Sequence, residues 1–273
     1  MGYFFFPELG IKGIGVSTIV SQFVGFIIIL LKLCKNKRIK QITKDLLIPR
    51  FKYFINIFFQ SMPIVISICA YSLTAAIIFK YIGQSGEYAV AGYGAGTRIE
   101  QVVLLPILGI NTAIISIISQ NFGAGSISRI KEAYFTAIKY SLIIMIFSGG
   151  ILYVSSDLIT SLFSNNSIVI DYGSKYLKIC AFIIPAYPIF FLSNGLFMAI
   201  KKSENAMISN IFRNCINPII VFLLAQKINA DFETFFWMWA VVNWIFSGLY
   251  FFFLIYYIKN KLEKFSTVTY PQP

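Results

Sequence analysis

The sequence contains no histidine, and only 11 of its 273 residues are acidic. The first absence removes His-based catalytic triads, the helical HExxH zinc site and most imidazole proton relays together. No paired aspartates within an apolar run and no nucleophile–base set stand in their place, which argues against an enzyme. The four cysteines, Cys34, Cys69, Cys180 and Cys215, are scattered, with no pair at metal or redox spacing. The last three fall inside apolar runs, where a thiol packs as a small apolar group. Charge of either sign is scarce. Charged residues make up 12% of the chain, against 58% hydrophobic and 17% aromatic, where a soluble domain is about a quarter charged.

Long apolar runs take the place of charge. A bilayer core about 30 Å thick needs about 20 apolar residues of helix to cross it. Runs of this kind occupy Ile11–Leu33, Ile55–Phe79, Tyr88–Ser119, Ile138–Val154, Tyr176–Ile200, Ala206–Ala225 and Phe235–Ile258. Lys and Arg crowd every second connection: Lys35 to Lys52 after the first run, Arg129 and Lys131 after the third, Lys201 and Lys202 after the fifth, and Lys259 to Lys264 after the last. The other connections carry Glu87, Asp157, Asp171, Asp231 and Glu233, with only Lys80, Lys175 and Lys227 against them. By the positive-inside rule the basic loops are cytoplasmic, so the N-terminus lies outside and the C-terminus inside a multi-pass protein of the cell membrane. The formal net charge of +12 therefore sits where topology wants it, and a nucleic-acid partner is not expected. Anionic membrane lipids are the natural partners of the basic loops. Glu8 ahead of the first run, and the absence of a small-residue cleavage site after it, do not fit a signal peptide. An outside N-terminus without one suits a chain that begins in an extracellular loop of something longer.

The expected fold is an all-α membrane protein: a six-helix transmembrane bundle preceded by one extra transmembrane helix. Residues 1–33 form the extracellular start and first span, 34–54 a basic cytoplasmic loop, 55–260 the six-helix set and 261–273 a cytoplasmic tail. Many transporters consist of two six-helix halves around a central site, and this chain reads as one half plus the last helix of the other. The third run is the unusual one. About 32 residues give roughly 48 Å of helix, too long for an untilted crossing. Pro106 and Gly109 inside it predict a kink or partial break. The small residues of AVAGYGAG let a neighbouring helix approach closely.

Here the residues become recognisable. AGYGAGTRIEQVVLLPILGINTAIISIISQNFGAGSISRIKEA resembles the multidrug and toxic compound extrusion (MATE) family, in the second helix of its C-terminal lobe. The resemblance is carried by Arg98 and Glu100 in TRIEQ, Pro106 followed by Gly109, SQNFGAG, and the basic turn with Arg129 and Lys131. IKGIGVSTIVSQ after PELG looks like the last helix of the family's N-terminal lobe, and the likeness runs from about Phe6 to Lys259. It implies a V-shaped pair of six-helix bundles exporting small cationic or amphipathic compounds by alternating access. The drive is inward Na⁺ or H⁺, with no other cofactor. A complementary N-terminal lobe or a second copy would complete the cavity. Two departures stand out. The N-terminal lobe is almost wholly absent, and with it the first-helix aspartate that DinF-type members are thought to use. The runs matching the first and fourth C-lobe helices carry no Asp or Glu, where NorM-type members place acidic residues.

Five residues are candidates for cation coupling or substrate binding: Glu100, Arg98, Gln60, Asn194 and Arg213. Glu100 is the only acidic residue deep in any run, about 12 residues or roughly 18 Å from the outer end of its helix. Carboxylates at that depth mark ion or substrate paths by default. Arg98, two residues away, points to a different side, whereas Arg213 lies at comparable depth and reaches across. The structural alternative is a buried Glu100–Arg213 ion pair, or a pair with Arg98 of another copy. Gln60 and Asn194 each interrupt an apolar, aromatic-rich stretch. Among the aromatics, Tyr71, Tyr93, Tyr187, Phe190 and Phe191 suit a lipophilic cation, although lipid-facing belts account for most such residues. Lys139 and Lys178, near run ends, are expected to snorkel. A flippase for lipid-linked sugars is the rival within transport, and a non-transporting remnant or assembly subunit the rival outside it.

Overall fold

A computed structural model describes residues 10–35 and 51–262 of the chain; most of the basic stretch 34–54 and nearly all of the tail from 261 lie outside the described residues. The described residues are almost wholly helical, with no strand among them. α1 covers Gly10–Lys35, α2 Phe51–Ile82, α3 Glu87–Gly123 and α4 Ile127–Ser161. α5 (Ser167–Ile183) and α6 (Tyr187–Ala199) form the next span, and α7 (Ser203–Ile211) and α8 (Asn217–Lys227) the one after it. α9 (Phe232–Tyr257) is the last. Seven helical stretches are long and apolar enough to cross a membrane, matching the seven runs of the sequence.

The chain divides into two compact units, Met1–Phe58 and Phe59–Pro273. The first carries α1 and the start of α2. The second holds everything that follows, and its centre is the α5–α6 span: 78% of that span's most apolar stretch is buried, against 17–28% for the other spans of the unit. α3 and α4 pack on α5, α6 adds to the contact with α3, and α9 closes against α5, α6 and α8. The surroundings of this core remain apolar. Phe147, Val154 and Leu158 on α4, and Ile245, Leu249 and Phe252 on α9, are all exposed, as helices facing hydrocarbon require.

Local sequence sets the boundaries. Asn166 caps α5 by accepting from the Ile168 amide at 2.9 Å, and Asp231 caps α9 through the Thr234 amide at 3.2 Å. Small residues on α3 do what their pattern suggests. A Cβ on Gly92 would lie 2.8 Å from the Gly173 nitrogen and the Val169 carbonyl oxygen of α5, and one on Gly96 would strike the Tyr176 ring. The two helices therefore meet nearly backbone to backbone.

The prolines divide in an unexpected way. α3 remains one 37-residue helix through Pro106, so the expected break does not occur there. Pro106 lies on the exposed face, while buried residues from Ala89 to Ile118 fix the other face; one missing hydrogen bond does not stop a helix held along its whole length. Breaks occur instead at Pro185 and Pro218, in the two discontinuous spans. A 3₁₀ turn, Ile184–Ala186, separates α5 from α6. A π turn, Phe212–Ile216, joins α7 to α8, closed by the Asn217 amide on the Phe212 carbonyl.

Candidate functional site

Both irregular turns lead to the same place. Pro218 has no N–H to offer the carbonyl four residues back, that of Asn214. The Thr74 hydroxyl of α2 donates to that carbonyl, so the neighbouring helix satisfies the group the proline leaves free. The wider π turn that results carries Arg213. On the other span, the 3₁₀ turn at Pro185 ends immediately before Tyr187.

Glu100 lies on α3 between these turns. Its Oε2 accepts a hydrogen bond from the Tyr176 hydroxyl at 2.5 Å, and its Oε1 accepts one from the Tyr187 hydroxyl at 2.6 Å. Tyr176 and Tyr187 are 6% and 7% exposed, so the carboxylate is held by two desolvated phenols, one on each oxygen. The buried Cys180 thiol, one turn beyond Tyr176, stands beside the same carboxylate. The Tyr176 ring also meets Tyr93 and Phe236 edge-on, at 5.0 and 4.9 Å, which fixes its hydroxyl in place.

Arg213 occupies the far side of Tyr187. Its Cζ lies 4.7 Å from the Tyr187 ring centroid, 4.2 Å from that of Phe190 and 5.7 Å from that of Phe191. Its Nε donates to Asn243 Oδ1 at 3.3 Å, and the Asn243 amide nitrogen is anchored on the Trp239 carbonyl at 2.9 Å. No carboxylate among the described residues lies within 4 Å of the guanidinium. The direct Glu100–Arg213 ion pair is therefore absent. Tyr187 links the two charges: its hydroxyl donates to the carboxylate, and its ring and oxygen both lie beside the guanidinium.

The remaining candidates lie elsewhere. Arg98 is exposed on α3 and does not join the cluster. Gln60 belongs to α2, but its side chain lies outside the described ones. Asn194 is buried in a second polar group, where its Oδ1 accepts from Ser209 at 3.2 Å and from Tyr250 at 2.8 Å. The aromatics Tyr187, Phe190 and Phe191, considered for a cationic ligand, already receive Arg213. Lys178, expected to snorkel, pairs with Asp157 at 3.2 Å. Sequence reasoning missed Asn243 and the role of Tyr176. Asn243 had a signal, as a lone amide in the middle of FWMWAVVNWIF. Among the described residues no group of three or more His, Cys, Asp or Glu that could hold a metal comes together.

Residues 63–223 match the family described as MatE. The chain belongs to the MatE family. Among curated MatE relatives, the FAD transporter of Shewanella oneidensis is 27% identical over 184 residues, 65% of this chain and 40% of that protein. The probable multidrug resistance protein YpnP of Bacillus subtilis is 24% identical, over 75% of this chain and 45% of the relative. The multidrug export protein MepA of Staphylococcus aureus is 20% identical, over 80% and 48%. The chain thus spans somewhat under half the length of these relatives. A solved outward-facing multidrug resistance MATE transporter of the MOP superfamily superposes with a TM-score of 0.82 at 19% identity, covering 94% of this chain and 58% of that one. The fold is that of a MATE transporter, and the protein is a multi-pass membrane protein of a transporter family.

Proposed function

We propose that this chain supplies the C-terminal half of an exporter for amphipathic, ring-bearing organic compounds, organic cations among them, working by antiport against Na⁺ or H⁺. The relatives named for multidrug export and FAD transport support export of bulky organic molecules. The observation that carries the coupling role is the Glu100 carboxylate with a phenol on each oxygen, the arrangement of a charge kept inside an apolar lobe for use. Basic loops in the cytoplasm, N-terminus outside and C-terminus inside, complete the reading. Because the chain spans under half the length of these relatives, it should by itself give little or no efflux, and a complementary six-helix lobe or a second copy should complete the path.

The test is Glu100→Gln in proteoliposomes that hold this chain together with a complementary N-terminal lobe. Ion-driven efflux of a cationic dye should be abolished while the variant stays folded in the membrane. Undiminished efflux by that variant would remove Glu100 from the coupling mechanism.

A further inference from the structure

Arg213 has no use in the coupling reading, and its surroundings are unusual for a structural arginine. A guanidinium brings five N–H donors and a permanent charge. When buried for structure it is ordinarily paired with a carboxylate, since an uncompensated charge in a low-dielectric setting is costly. Here the one geometric hydrogen bond goes from Nε to Asn243. The Tyr187 hydroxyl, which gives its proton to Glu100, lies alongside and offers its oxygen as an acceptor. Three aromatic rings lie within 6 Å of the guanidinium carbon, which steadies the plane of the group without neutralising it. Asn243 cannot turn away, because its own amide nitrogen is held by the Trp239 carbonyl.

A guanidinium fixed at Nε, stacked on rings and sharing one side with the Tyr187 oxygen keeps its other terminal N–H groups for an oxyanion such as a carboxylate or phosphate. Arg213 retains accessible surface, and Tyr71 of α2, 59% exposed, is among its neighbours. We propose that Arg213, with Tyr187, Phe190 and Asn243, is a subsite for the anionic group, carboxylate or phosphate, of an aromatic compound. The anion takes the terminal N–H groups, and a ring joined to it lies against the exposed Tyr71. With Glu100 satisfied by two phenols, the ligand reads the positive end of the cluster. The inference rests on the transporter reading only for the purpose of binding; the binding itself is tested without transport.

The anion has two possible sources, a soluble compound or a lipid headgroup. The full chain, purified in an uncharged maltoside detergent, is titrated with 1-naphthyl phosphate, 1-naphthol and 1-naphthylmethylammonium, followed by their own fluorescence polarisation. The phosphate should bind at least ~10-fold more tightly than the alcohol, and the ammonium compound more weakly than either. Arg213→Gln should erase the margin between phosphate and alcohol while leaving the alcohol's affinity in place. Arg213→Lys, which keeps charge and loses the fork, should restore only part of it. Competition by dioleoylphosphatidylglycerol but not by dioleoylphosphatidylcholine would support the site and assign it to a lipid headgroup; failure of both lipids to compete would support it and assign it to a soluble compound. A wild-type chain that favours the ammonium compound, or treats the three probes alike, overturns the proposal without recourse to any variant. So does an Arg213→Gln chain that keeps its preference for phosphate. Loss of efflux in Glu100→Gln leaves this result untouched, so the two readings fail separately.

Discussion

Replacing Tyr176 by Phe removes one oxygen and leaves the ring in its seat against Gly96, Tyr93 and Phe236. Packing is therefore held constant and the cost reports the hydrogen bond to Glu100. A bond to a charged group contributes about 1.5–3 kcal/mol, against about 0.5–1.5 kcal/mol for a neutral one. Tyr176 is 6% exposed and Glu100 half-buried, so the whole of the first range applies. In a Glu100→Gln background the same hydroxyl meets a neutral amide, and its removal should cost about 1–2 kcal/mol less. The interaction energy of the double-mutant cycle is that difference. Tyr187→Phe should behave alike on the opposite oxygen, while keeping the ring under Arg213.

The assay is reversible unfolding of the purified chain in mixed micelles of increasing denaturing detergent, followed by helicity and tryptophan emission. The reasoning is refuted if Tyr176→Phe costs the same in the wild-type chain and in the Glu100→Gln background, for then the phenol is not bonded to the charge. It is refuted equally if both single changes are neutral. Removing both phenols should cost more than the sum of the two single changes, because the half-buried carboxylate then keeps only the Cys180 thiol beside it.

Three further outcomes are expected. In a background lacking native cysteines, Ser85→Cys and Ser164→Cys should react with an impermeant maleimide from outside, and Ser126→Cys and Ser203→Cys only from inside; the reverse pattern would invert the topology. Thr74→Val keeps the shape of the side chain but strips the hydroxyl from the half-buried Asn214 carbonyl, at a cost of about 1 kcal/mol, and should also weaken 1-naphthyl phosphate binding because the turn that carries Arg213 loosens. Asp231 lies outside the spans, and the hydrogen bond from Thr234 holds its carboxyl below the usual carboxylate range. A group with a depressed folded value stabilises the protein above its unfolded value, near pH 4, and loses that contribution as pH falls through the folded value. Asp231→Asn should flatten the acid limb of the unfolding midpoint by lowering it at pH 7–8 and leaving it unchanged in acid, where the carboxylate is already protonated.

The helices were legible because a bilayer imposes its demands locally. Length, apolarity and the alternation of Lys and Arg are all readable within one run and its flanks. Glu100 was legible for the same reason, as a single charge in the wrong solvent. Its partners were not. Tyr176 and Tyr187 are eleven residues apart, which puts them on one face of an ideal helix but about 16 Å apart along it. Nothing in the spacing says that both reach one carboxylate; the 3₁₀ turn at Pro185 and two long side chains from either side bring them together. The Arg213 environment was hidden differently. Sequence places Arg213 at the right depth, but which rings it meets depends on a π turn whose extra residue resets the register of everything after it. Asn243 was visible as an anomaly, though not as a partner.

The fate of the prolines links these cases. Pro106, on an exposed face, leaves α3 continuous, while Pro185 and Pro218 open turns in the α5–α6 and α7–α8 spans. Within an apolar lobe, a carbonyl freed by proline needs a donor from a neighbouring helix, and Thr74 gives one to Asn214. At Pro218 the break persists where another helix presents a polar group at the same depth. Polar groups at that depth are also what a site for ions or charged ligands requires. The Tyr176–Glu100–Tyr187–Arg213 cluster and the two irregular turns coincide because one condition, polar side chains shared between helices inside an apolar lobe, permits both.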